Sequence, residues 1–84
     1  MSKPSPSFGI RVTGKFVKVY FRGLLHLLFR LDEYRGLQSW IEADGAGGSY
    51  YFVTLYLGDA EVTCDYDERW KWEELLRLFE TTFA

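Results

Sequence analysis

Gly9 to Phe16 reads G-I-R-V-T-G-K-F, one residue away from the phosphate-cradling pattern G-x-x-x-x-G-K-[ST]. That pattern works because its glycines let backbone N–H groups converge on an anion while its Ser or Thr hydroxyl holds Mg²⁺. Phe16 stands where the hydroxyl must be. Ile10 to Thr13 alternates like a strand where the chemistry needs a loop opening a helix, and 84 residues leave no room for the α/β sheet that displays such a loop. The match is read as coincidence.

The other reactive side chains are equally isolated. His26 is the only histidine, which excludes His-His metal ligation. It can pair with Glu33 or titrate near neutral pH, yet as strand or helix it is expected to face outward, an ordinary surface histidine. Cys64 is the only cysteine, so there is neither an intramolecular disulfide nor a Cys-based zinc site. It falls in phase with Val62 and Tyr66 on a face assigned to the core, where a free thiol behaves as a small apolar filler. Asp65, Asp67 and Glu68 could join Asp59 or Glu61 in a shallow cation site, but the glycine-containing spacing of a calcium loop is missing. Asp67 is better read as a helix N-cap. No catalytic constellation results, so the expectation is a protein that is not an enzyme, with no cofactor, no metal and no small-molecule substrate.

The residues that stand out are aromatic: 3 Trp, 6 Tyr and 7 Phe, 19% of the chain. Apolar residues reach 48% against 26% charged, which excludes a disordered chain and predicts one small globular domain over 8–84 after a flexible tail at 1–7. The formal charge of −2 hides an asymmetry. Residues 1–36 hold seven Lys and Arg against two carboxylates, and residues 37–84 hold three against ten. Such a split suggests two halves that neutralise each other within one fold, a polar partner, or head-to-tail self-complementarity. The tail MSKPSPS is not followed by the apolar stretch of a secretory signal, and the greasiest run, Leu24 to Leu31, is too short to span a membrane. With a free thiol as well, a cytoplasmic protein without membrane contact is expected.

The elements that must position these residues follow from periodicity. Trp72, Leu75, Leu76, Phe79 and Phe83 form one stripe at helical spacing, an amphipathic C-terminal helix. Trp70 lies about 160° from that stripe, so it either folds back over the start of the helix or stands as an exposed anchor. Upstream, Tyr51, Val53, Leu55 and Leu57 alternate with Tyr50, Phe52, Thr54 and Tyr56, and Gly58-Asp59 turns the chain into a second alternating run. Leu37 to Ala43 reads as a strand, joined to them by the glycine-rich stretch Asp44 to Gly48, expected to be a mobile connection. Phe8 to Val12 and Val17 to Phe21 alternate around Gly14-Lys15. Leu24 to Tyr34 fits a strand with Leu25, Leu27, Phe29 and Leu31 inward, and also a helix ending at Gly36. The strand is preferred. The fold is therefore α+β, an antiparallel meander of five or six strands with one C-terminal helix packed on it. The alternative order is β-α-β-β-β-α with residues 24–35 helical.

The run YYFVTLYLGDAEVTCDYDERWKWEELLRLFE, about the last 35 residues, resembles the ending of small PH-like domains and of bacterial and phage-borne single-domain proteins, in which a last hairpin feeds an amphipathic helix. The resemblance implies a half-barrel-like binding or scaffold module of bacterial or mobile-element origin. No basic lipid-binding loop can be matched to residues here, so that activity is not carried over.

The aromatic alternation has one functional consequence. If Val53, Leu55 and Leu57 face the helix, then Tyr50, Phe52 and Tyr56 face away from it, and Trp40 joins them from the neighbouring strand. Open sheet faces are normally polar, so the sheet closes into a barrel, the protein self-associates, or the face receives a partner. The expected function is a non-catalytic protein-interaction module, a homodimer or a binder of another protein, with Trp40, Tyr50, Phe52, Tyr56 and Trp70 as contact residues. The alternative is a single-stranded nucleic-acid binder in which Lys15, Lys18 and Arg22 follow phosphates and Tyr20 stacks a base.

Overall fold

The computed structural model describes residues 7–83. Six antiparallel strands precede one helix: β1 (Phe8–Thr13), β2 (Phe16–Phe21), β3 (Leu24–Arg30), β4 (Tyr34–Ala43), β5 (Ser49–Leu57), β6 (Ala60–Tyr66) and α1 (Arg69–Phe83). The α+β class holds, the strand expected over Leu24 to Tyr34 forms as far as Arg30 before a 3₁₀ turn, and the helix over 24–35 does not form. Of the tail expected at 1–7, residues 1–6 lie outside the described residues. Ser7 is held at both ends: its N–H donates to Glu74 Oε1 at 2.7 Å, and its carbonyl accepts the Arg22 N–H at 2.7 Å.

The meander is divided into two three-stranded sheets, β1-β2-β3 and β4-β5-β6. Between them the chain makes one 3₁₀ turn, Leu31–Glu33. The Leu31 N–H donates to the Lys15 carbonyl at 2.8 Å, and the Glu33 carbonyl accepts the Gly58 N–H at 2.7 Å. One short connector is thus tied to a hairpin turn of each sheet. Because β3 and β4 do not pair, the strands do not close into a barrel and each sheet keeps an outer face.

Turn chemistry sets the hairpins. Gly14 and Gly58 take positive φ at the first turn position while Lys15 and Asp59 do not, the requirement of a type II′ turn. The β2–β3 turn places both Arg22 (φ 51°) and Gly23 (φ 83°) in the left-handed region, as a type I′ turn demands. In the loop from Asp44 to Gly48 a side chain bonds the backbone across the turn. Asp44 Oδ1 accepts the N–H groups of Ala46 at 2.7 Å and Gly48 at 2.9 Å, and these bonds hold its carboxyl below the usual carboxylate range.

One irregularity redirects β3. Val17 pairs with Phe29 and Val19 with Leu27, but Tyr20 pairs with Leu25, so His26 is an extra residue on its strand. A bulge reverses side-chain phase beyond it. Leu25, expected inward, is therefore 55% exposed, and His26, expected at the surface, remains exposed while its ring reaches the Tyr66 hydroxyl at 2.8 Å. Leu31, also expected inward, sits exposed in the 3₁₀ turn.

The core is shared by both sheets and the helix. Phe8, Val17, Val19 and Phe29 come from the first sheet, Val53, Leu55 and Tyr66 from the second, and Leu75 and Phe79 from α1. Burying each such side chain removes enough apolar area to contribute about 1.5–3 kcal/mol. Phe79 stacks with Phe29 at 6.2 Å and tilts against Tyr34 at 6.0 Å, bridging the two sheets. Trp72 adds a fixed point, donating its indole N–H to the Phe52 carbonyl at 3.0 Å. The helix begins at Arg69, so Asp67 stands two residues outside it. Its carboxylate takes the Lys71 ammonium at 3.4 Å in place of the capping role expected of it.

Candidate functional site

The second sheet assembles the aromatic residues that the sequence analysis singled out. Strand alternation and antiparallel register place Trp40 opposite Phe52 and Asp65, Gln38 opposite Thr54 and Thr63, and Gly36 opposite Tyr56 and Glu61, with Glu42 opposite Tyr50. All these side chains share the face turned away from the core, because their neighbours Val53 and Leu55 are buried on the other. The aromatics are ordered by their own contacts. The Trp40 and Phe52 rings stack with centroids 5.2 Å apart at 10°. The Tyr56 hydroxyl donates to Gln38 Oε1 at 2.7 Å. At the centre, Thr54 is only 4% exposed and its hydroxyl meets that of Thr63 at 2.8 Å. Tyr50 is the most open, at 45%. The result is a preorganised aromatic plate rimmed by three carboxylates, Glu42, Glu61 and Asp65.

Trp70 is not part of this plate. It folds back at the start of α1, donating its indole N–H to Glu68 Oε2 at 2.6 Å, and it is also 41% exposed. The Arg22 guanidinium lies 5.9 Å and the Lys71 ammonium 5.8 Å from its ring centre, and both cations also lie over the Phe21 ring. These contacts explain two sequence features at once. They hold Arg22 in its left-handed turn conformation, and they employ an aromatic residue that faces off the helix stripe. The bonds from Trp70 and Lys71 also hold the Glu68 carboxyl below its usual range.

The four residues of the nucleic-acid reading do not form one patch. Lys18 and Tyr20 share the outer face of β2, but Lys15 lies in the turn before that strand and Arg22 in the turn after it. The two turns are roughly 20 Å apart along a strand of this length. What the sequence analysis missed is the company Lys18 and Tyr20 keep. Register puts Arg11 and Leu28 on either side of Lys18, Thr13 and Arg30 beside Phe16, and Gly9 and Leu25 beside Tyr20. Leu25 and Leu28, 55% and 53% exposed, complete an outer face that is apolar and cationic. The available signal was the sequence Leu24-Leu25-His26-Leu27-Leu28, which holds more leucines than one face of a regular strand can take.

The reactive groups are turned to structure. Burial pushes the Cys64 thiol and the Tyr66 hydroxyl up, so both keep their protons at neutral pH. Burial lowers the basicity of His26. Gly9 to Phe16 forms a β-hairpin, with no helix after Lys15 to receive a phosphate. Among the described residues no three His, Cys, Asp or Glu side chains are grouped to hold a metal ion, and no helix is long and apolar enough to cross a membrane. An open groove of about 620 Å³ between β4 and α1 exposes the flanks of Tyr34, Leu37, Leu76 and Phe83, which belong to the margin of the core. What this arrangement offers chemically is contact area, aromatic and acidic on one sheet, aliphatic and basic on the other. Comparison with protein families, with curated proteins and with solved structures finds no match to this chain.

Proposed function

We propose that this chain is a non-catalytic interaction module that self-associates through the aromatic face of β4 and β5. The observation that carries the reading is the placement of Trp40, Phe52, Tyr56 and Tyr50 together on the sheet face turned away from the helix, where Tyr50 is exposed and the other three are half-buried. Large flat side chains remove much area from water at small rotamer cost, and here stacking has already fixed two of them, so little further ordering is needed on contact. The free thiol of Cys64 fits a reducing, cytoplasmic setting. Of the four residues of the nucleic-acid reading only Lys18 and Tyr20 share a face, which leaves that reading with less support.

Light scattering coupled to size exclusion at two well-separated concentrations tests the proposal. The native protein is expected to rise above the single-chain mass of 9.9 kDa as concentration increases. Phe52→Ser and Trp40→Ser are expected to stay at that mass with an unchanged far-ultraviolet circular dichroism spectrum. A native protein of single-chain mass at both concentrations would overturn the reading. So would loss of secondary structure in both variants, which would make these rings part of the core.

A further inference from the structure

Resting on that self-association, we propose that the aromatic, acidic face of the second sheet docks on the outer face of the first sheet of another copy, making a head-to-tail assembly. The two faces are opposite in charge and similar in extent. Glu42, Glu61 and Asp65 border the aromatic plate. Arg11, Lys18 and Arg30 border the aliphatic surface of the first sheet, whose strand positions bring no carboxylate onto that face. Arg30 is engaged by Asp32 at 3.0 Å, which leaves Arg11 and Lys18, cross-strand neighbours, as the main cationic pair. Two like charges side by side on a sheet are unfavourable unless something of opposite sign lies over them. Glu61 and Asp65, both outward on β6, supply that sign.

The apolar parts also match. Phe16, Leu25 and Leu28 are each about half exposed, and they stand among the cations as Trp40, Phe52 and Tyr50 stand among the carboxylates. A nucleic acid finds rings on the basic face only in Phe16 and Tyr20, and Leu25 and Leu28 beside the cations offer its bases none.

Pairing like with like, aromatic face on aromatic face, would instead bring three carboxylates against three, a juxtaposition that costs several kcal/mol. Each sheet turns its inner face to the common core, so the two outer faces look away from each other. A copy bound through one face therefore keeps the other free, and the contact is heterologous, able to continue as a chain or close as a ring. Three strands of six residues make a plate roughly 15 Å by 20 Å. That is small beside the roughly 800 Å² per partner of a stable complex, so the assembly is expected to dissociate on dilution.

Two charge-reversed proteins test the geometry. Arg11→Glu with Lys18→Glu disables the basic face, and Glu61→Lys with Asp65→Lys disables the acidic one. Arg11, Glu61 and Asp65 are exposed and Lys18 is half-buried, and none of the four makes an ion pair among the described residues, so both variants should keep the native melting transition. Each alone is expected to stay at the mass of one chain at concentrations where the native protein grows beyond two. Mixed, they are expected to associate and to grow beyond two chains, since between unlike copies both kinds of contact then join faces of opposite charge. No association on mixing would overturn the proposal. If the Arg11→Glu/Lys18→Glu protein associates like the native one while Phe52→Ser does not, the aromatic face pairs with itself; the head-to-tail contact is then wrong and the self-association reading stands. A native protein that stays single at every concentration defeats both. Binding of a labelled single-stranded oligonucleotide that weakens with salt and vanishes with Arg11→Glu/Lys18→Glu would give the basic face to nucleic acid and overturn the proposal.

Discussion

The two sheets are built alike, three antiparallel strands in chain order with two tight connections, yet their outer faces are opposites. The first carries Arg11, Lys18 and Arg30 among Phe16 and two leucines; the second carries Glu42, Glu61 and Asp65 among stacked aromatics. Because each sheet is a contiguous stretch of chain, the charge asymmetry of the sequence becomes a spatial asymmetry. Had strands been exchanged between sheets, the same composition would have mixed the two signs on both faces. The inner faces show the reverse relation. There the sheets are interchangeable partners of one helix, each contributing aliphatic and aromatic side chains to a single cluster.

That contrast can be broken at its strongest point. Phe79 touches aromatic residues of the first sheet, the β4 start and its own helix, and is almost fully buried. Phe79→Ala should cost about 3–5 kcal/mol, against a much smaller loss for Phe52→Ser on the outer face. Urea unfolding followed by tryptophan emission measures both, and equal losses would mean that inner and outer faces are not distinct. Arg22→Asn addresses the next largest effect. Asn is easier to place at positive φ, which should gain about 0.5–1 kcal/mol, while the cation lost from Phe21 and Trp70 should cost a similar amount. A melting temperature close to native is therefore expected, and a clear rise would show that Trp70 contributes little to holding the turn.

The smallest effect concerns the only side-chain hydrogen bond that joins the two sheets among the described residues, His26 to Tyr66. Burial lowers the affinity of His26 for its proton, so the unfolded chain takes up a proton that the folded protein resists. Stability is full above the ordinary histidine value near 6.5 and falls as the pH drops from there toward the lower value of the folded state. Thermal melts between neutral and mildly acid pH should show this loss, and His26→Gln should flatten it. The effect is modest because the ring remains partly in water. An unchanged slope in the variant would remove His26 as the acid-sensitive point of the contact between sheets.

Much of this was legible along the chain. The helix stripe from Trp72 to Phe83 and the alternation of β5 announce themselves because burial imposes a fixed period on each element. The shared face of Trp40, Tyr50, Phe52 and Tyr56 followed from that same period, and register only had to align β4 with β5. The bulge at His26 was not legible. It leaves no local signature, since it is selected by what Leu25 and His26 meet on other elements: solvent for one, the buried ring of Tyr66 for the other. Trp70 was half legible, because its angle on the helix was clear from spacing while the two cations that surround it come from a turn and from the helix itself. The bonds that Asp44 makes across its loop were not legible, because glycine-rich composition does not say which carboxylate the backbone N–H groups will find.

By itself the sequence determined the α+β class, the helix, five of the strand boundaries to within a few residues, and the segregation of charge into two halves, since all of these rest on local period and composition. Tertiary structure decided where the meander breaks, which side of β3 its histidine takes, and that both outer faces stay open. Those outcomes depend on contacts between residues far apart in the chain, where the burial of Phe29, Tyr66 and Phe79 around one helix outweighs the preference of any single segment.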